Sequence, residues 1–146
     1  MNSEFNFREF LIVTLIVSIW VNASEVFRYF AIVMPATRKF LVSVPDVAPM
    51  NWGVFSLWSL WDTILTIMIV FMYWLVAQSF GNNFKSILIA STASWTFLFV
   101  LFWVAMFNMA LSSSTLALIA LSLAWIEVFV ASFISSKLFA KDWVES

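Results

Sequence analysis

The chain has 146 residues, of which 64% are hydrophobic and 10% charged, with a formal net charge of −1 and a mean hydropathy of +1.01. Soluble domains run near half apolar and about a quarter charged, so the solvent for most of this surface must be a bilayer. The absence of Cys and His excludes disulfides, thiol and Ser-His-Asp catalysis and imidazole or thiolate metal sites. Two glycines cannot build a phosphate-cradling loop or a GxxxG motif, and the lack of a basic tract leaves no basis for a nucleic-acid partner.

After a short polar start carrying Glu4 and Arg8, an apolar stretch runs from about Glu9 to Met34 and is expected to stop at Pro35. Such a helix is roughly 39 Å long, more than a ~30 Å hydrocarbon core requires, which predicts tilt or protruding ends. A cleaved signal peptide with Val21-Asn22-Ala23 as its small-residue site is the competing reading. It is disfavoured by the single basic residue ahead of the apolar core and by the apolar pattern that resumes after Arg28. Asn22-Ala23-Ser24 also matches a glycosylation sequon, but inside a span it carries no weight.

Residues 35 to 52, punctuated by Pro35, Pro45 and Pro49, read as the one long loop. Within it, Phe40-Leu41-Val42 is either a plain connector, the favoured reading, or a short interfacial turn. A second span covers about Gly53 to Ser79 and closes on the turn signal Gly81-Asn82-Asn83. The third covers about Ser86 to Ala110, and Ser112-Ser113-Ser114-Thr115 offers N-caps to a fourth over about Thr115 to Leu138. The mixed-charge tail ends the chain, with Trp143 placed at the headgroups. The expected fold is all-α: a single membrane domain over residues 1–146, formed by an antiparallel up-down-up-down bundle of four transmembrane helices. Basic residues number four on the side of the termini (Arg8, Lys85, Lys137, Lys141). The other side has Arg38 and Lys39, with Arg28 if it snorkels, so both termini are read as cytoplasmic in a plasma or inner membrane.

Small and polar residues mark the inward faces. The fourth span carries Ala117, Ala120, Ala124, Glu127, Ala131 and Ser135 at three- and four-residue steps, a stripe along which helices approach closely in lipid. The second gives Ser59, Asp62, Thr66, Tyr73 and Ala77. The first gives Thr14, Ser18, Asn22, Glu25 and Tyr29, with Arg28 on the edge, and the third gives Ser91, Ser94, Leu98, Leu101, Ala105 and Asn108.

At about 1.5 Å per residue, Glu25 and Asp62 lie roughly 15 Å from the surface that bears the 35–52 loop, Glu127 roughly 20 Å, and Arg28 and Asn108 nearer to it. The candidate site is therefore Glu25, Arg28, Asp62 and Glu127, with Asn22 and Asn108, in the loop-facing half. A charge at mid-bilayer costs at least about 2.5–3.5 kcal/mol. One guanidinium can pair with one or two carboxylates, and the third must share a proton or hold a cation.

The favoured function is binding or transport of a proton, a cation or a small amphipathic ligand. The alternatives are a structural or accessory subunit of a membrane complex, or an acid-base enzyme on a lipid-soluble substrate, and the enzyme is the less favoured. Nine Trp and seventeen Phe permit an aromatic-lined pocket, although lipid-facing filler and interfacial belts explain them more simply. No cofactor or metal is expected. The expected partners are the lipid bilayer and a second copy of the chain or a membrane-complex subunit.

Overall fold

A computed structural model describes residues 5–140; the expectations placed on Glu4, Lys141 and Trp143 lie outside the described residues. Four helices are long and apolar enough to cross a membrane: α1 (Phe7–Phe40), α2 (Trp52–Phe80), α3 (Phe84–Asn108) and α4 (Ser114–Phe139). Each begins where a short polar side chain satisfies backbone N–H groups that have no partner inside the helix. Asn6 accepts from Arg8 N and Glu9 N at 3.0 and 3.1 Å, Asn51 from Val54 N at 3.0 Å, Asn83 from Ser86 N at 3.1 Å and Ser113 from Leu116 N at 3.2 Å.

The ends are equally local. Gly81, at φ +80°, stops α2 in a backbone region that costs glycine little. Ala110, at φ +55°, closes α3, with Leu111 N donating to Met106 O and Ala110 N to Phe107 O. That is the Schellman arrangement, with alanine where glycine is usual.

The first helix does not stop at Pro35. It continues to Phe40, which shortens the expected 35–52 loop to residues 41–51. A π-helical segment, Tyr29–Val33, precedes the proline, and Met34 N donates to Tyr29 O, five residues back. Proline lacks an N–H and its ring crowds the carbonyl four residues earlier. A widened turn just before a proline is a local adjustment by which spanning helices accommodate it. Pro35→Ala is therefore expected to change unfolding stability by less than about 1 kcal/mol, where removing proline from a regular helix interior would gain roughly 3 kcal/mol. Detergent unfolding of the purified protein measures the difference, and a gain near the larger figure would contradict this account of the π segment.

Contacts along the helices fix their directions. The start of α1 meets the later part of α2 through Phe10 and Phe71, with ring centroids 6.4 Å apart, and its far half meets the start of α2 through Tyr29 and Trp58 at 6.1 Å. Phe84 at the start of α3 meets Phe129 well along α4 at 6.3 Å, and Trp95 Nε1 donates to Leu121 O at 2.8 Å. α1 and α2 thus run in opposite directions, as do α3 and α4. α1 and α3 each pack against both α2 and α4, and α2 meets α4 across the middle.

The core is assembled from Val13, Val17 and Val21 of α1, Leu65, Ile69 and Val70 of α2, and the small-residue face of α4. Every member of the expected α4 stripe is buried, from Ala117 to Ser135. On α2, Asp62, Thr66, Tyr73 and Ala77 are buried as expected, while Ser59 is half-buried. Two stripes differ. In α1 the buried line is Val13, Val17, Val21 and Arg28, one residue away from the expected Thr14–Ser18–Asn22–Glu25 face, although Thr14 is buried at its edge. In α3 the expected line holds through Ser94 and then moves, and Leu101, Ala105 and Asn108 are exposed.

A polar clamp closes the end of the bundle opposite the 41–51 connection. Tyr73 Oη donates to Asn82 Oδ1 at 2.5 Å and Ser136 Oγ donates to the same oxygen at 2.8 Å, while Asn82 Nδ2 donates to Ser136 O at 2.9 Å. Asn82, which reads from sequence as a turn residue, is thereby the joint between α2, the 81–83 turn and α4.

Candidate functional site

Arg28 stands in the last α-helical turn of α1, immediately before the π segment, on the line of Val17 and Val21. This register turns its guanidinium into the bundle, where its side chain is 7% exposed. Three groups meet it. Nη2 pairs with Glu25 Oε1, three residues back on the same helix. Nη1 lies 3.5 Å from Glu127 Oε2 of α4, a charge contact longer than a hydrogen bond. The Phe99 ring of α3 lies under the guanidinium, its centroid 4.9 Å from Cζ, the geometry of a cation–π contact.

Glu127 is the most deeply placed acid. Its side chain is fully buried, and Ser24 Oγ donates to Oε2 at 2.7 Å. Its backbone carbonyl accepts from Trp20 Nε1 at 3.0 Å. One helix face, Trp20–Ser24–Arg28 at four-residue steps, thus reads both the backbone and the side chain of a single α4 residue. Glu127 Oε1 has no hydrogen-bond partner among the described residues, and neither does Asp62 Oδ1. Asp62 is buried on α2 within electrostatic reach of Glu25 and Arg28. Arg28 Nη1 likewise makes no hydrogen bond.

Of the six residues proposed from sequence, Glu25, Arg28 and Glu127 come together, and Asp62 is buried within electrostatic reach of the first two. Asn22 and Asn108 do not join them. Asn22 Nδ2 donates to Ser18 O at 2.8 Å, so this amide satisfies itself on its own helix. Asn108 is exposed, and its displacement has a clear cause. A second π-helical segment, Thr96–Val100, inserts an extra residue into α3, and Leu101 N donates to Thr96 O. The buried line steps from Ser94 to Phe99 to Trp103 in place of the expected Ser94, Leu98, Leu101 and Asn108. Phe99 replaces Asn108 as the α3 contribution to the cluster.

Ser24, Trp20 and Phe99 are the site residues that sequence reasoning missed. Ser24 and Trp20 were within reach, since both lie one and two helical turns from Arg28 on one face. Phe99 had no signal, because the π segment Thr96-Phe97-Leu98-Phe99-Val100 contains neither proline nor glycine.

No three acidic side chains among the described residues are grouped closely enough to hold a metal ion. A hollow of about 320 Å³ lies elsewhere, lined by Arg38, Leu41, Val42 and Asp46 among others at the 41–51 connection. Comparison with protein-family models, with curated proteins and with solved structures found no match.

Proposed function

We propose that this small integral membrane protein takes up and releases protons at the Glu25–Arg28–Asp62–Glu127 cluster. The observation that carries the reading is Glu127. It is a fully buried carboxyl whose Oε2 receives Ser24 and faces Arg28 while Oε1 has no partner. Three carboxylates against one guanidinium leave a formal excess of two negative charges (three minus one) in the bundle. At about 2.5–3.5 kcal/mol or more per uncompensated charge, that excess must be neutralised. A proton suits the arrangement, since Glu127 and Asp62 each bury a carboxyl oxygen that has no hydrogen-bond partner among the described residues.

The chemistry is a shared titration. Arg28 supplies one fixed positive charge, Glu25 occupies it most directly, and Glu127 and Asp62 take protons as members of one coupled set. Ser24 orients the Glu127 carboxyl, and Phe99 holds the guanidinium from below. Transport would require the same site to exchange with both membrane faces, and both termini would be cytoplasmic by the balance of basic residues.

The test is a proton-uptake titration of the purified protein in weakly buffered detergent, from mildly alkaline to mildly acid pH, against Glu127→Gln and Asp62→Asn. Exposed acids contribute equally to all three proteins. Wild type is expected to take up about one proton more than each variant. Equal uptake by all three rejects the reading, and the cluster is then an interhelical fastening alone.

A further inference from the structure

Burial is lopsided along the bundle, and the charged cluster sits at the boundary. In α2 no residue from Trp52 to Trp61 is buried, whereas Asp62 begins an unbroken series that runs to Ala77. In α1 no residue beyond Arg28 is buried. In α3 only Trp103 is buried beyond Phe99. Arg28 is thus the last buried residue of one helix, and Asp62 is the first of its neighbour.

On the loop-bearing side α1, α2 and α3 lose burial, although Tyr29 still meets Trp58 and α4 stays buried at Leu116, Ala117, Ala120 and Ala124. On the other side they close. Within the cluster Glu25 keeps the most exposed side chain, at 15%, against 7% for Arg28 and 0% for Glu127.

The closed half is tightly packed, with the hydroxyls of Thr66, Ser91 and Ser135 buried among aliphatic side chains. Val17, Val21, Ile69, Val70 and Val128 are all fully buried. The Tyr73–Asn82–Ser136 clamp lies beyond them with its hydrogen bonds turned on itself. Among the described buried hydroxyls, those of Ser94 and Ser132 have no hydrogen-bond partner and those of Thr66, Ser91 and Ser135 each donate to a carbonyl of their own helix, so no hydrogen bond links one to the next. Proton movement needs connected polar groups or water, and this close-packed layer provides neither.

We infer that the cluster exchanges with water only from the loop-bearing face, along the loosely packed ends of α1, α2 and α3, and that the close-packed layer beneath it is the seal. Its functional meaning rests on the proton-binding reading: the site answers to the pH on one side of the membrane. The titratable groups facing that route are Glu25, Arg28 and Tyr29 of α1, Asp62 of α2 and Glu127 of α4; α3 contributes the Phe99 ring.

Because the chain has no native cysteine, single-cysteine variants carry one label each. The full-length protein in lipid vesicles is treated with a membrane-impermeant charged thiosulfonate, from one face and then from the other. Asp46→Cys marks the loop-bearing face. Ser59→Cys stands one turn from Asp62 on the open side; Ser135→Cys and Ser91→Cys stand in the closed half.

The reagent reacts with the hydrated thiolate, so Ser59→Cys should label from the Asp46→Cys face about tenfold faster than from the opposite face. Ser135→Cys and Ser91→Cys should label from neither. Two closed-half positions guard against one variant failing to fold. Labelling of either from the face of the termini, or protection of Ser59→Cys from both faces, overturns the inference. The proton-uptake titration separates the two ideas: one-sided labelling with no Glu127-dependent uptake retains the access route and removes the proton.

Discussion

Replacing Arg28 with methionine is expected to cost about 3–5 kcal/mol of unfolding stability, the usual penalty for removing one partner of a buried ion pair. The guanidinium answers Glu25 and Glu127 and rests on Phe99, so three elements lose a contact at once. The loss lies less in the missing contacts than in the carboxylates left unopposed. Two further variants separate these causes. Adding Glu127→Gln to Arg28→Met should recover part of the loss, because an amide keeps the Ser24 contact without the charge. Arg28→Lys should fall between wild type and Arg28→Met, since an ammonium restores the charge but not the planar fork or the fit over the ring. Unfolding of the purified protein in mixed micelles gives all four values. An Arg28→Met protein within about 1 kcal/mol of wild type would show the pairing to be incidental.

The second large effect is expected at the opposite end. Asn82→Ala removes three hydrogen bonds, each worth about 0.5–1.5 kcal/mol net, and strands the Tyr73 hydroxyl. Tyr73 is fully buried and stacks on Phe139 at a centroid distance of 6.3 Å, so its hydroxyl cannot turn to water without disturbing that packing. A loss of about 2–4 kcal/mol is expected for Asn82→Ala and about 1 kcal/mol for Tyr73→Phe, which removes one donor and leaves Asn82 its Ser136 contacts. The same unfolding assay ranks the two, and the account is contradicted if Tyr73→Phe is the more damaging.

The contrast between these ends bears on what a membrane sequence discloses. The four helices were legible because apolar runs of this length have no other use. The α4 face was legible because small residues at regular spacing mark close approach in lipid, and α2 followed the same periodicity from Asp62 onward. The α1 face was misplaced by one residue, about 100° of helix rotation. Ser18 and Asn22 drew the reading to the wrong side, yet each bonds a carbonyl of its own helix, Leu15 O and Ser18 O. A polar residue that satisfies itself has no need to face protein, and valines take the interior line instead.

The α3 face was lost for a different reason. A π turn adds a residue to the helix without proline or glycine to announce it, and every inward position after Ser94 shifts. Arg28 then meets an aromatic ring where an amide was expected. Of the candidate site, the acids and the arginine could be found from charge alone, because a charge in hydrocarbon has few places to go. Phe99 could not, because apolar residues in a membrane helix face lipid and protein alike.

On the proposed reading, a proton held at Glu127 and its coupled partners neutralises the excess negative charge of the cluster. Infrared spectroscopy of the protein in lipid tests it most directly, because a protonated buried carboxyl absorbs apart from a carboxylate. Wild type is expected to show protonated-carboxyl absorption at mildly acid pH that is reduced in both Glu127→Gln and Asp62→Asn. A spectrum without that absorption, or absorption unchanged in both variants, would contradict the account.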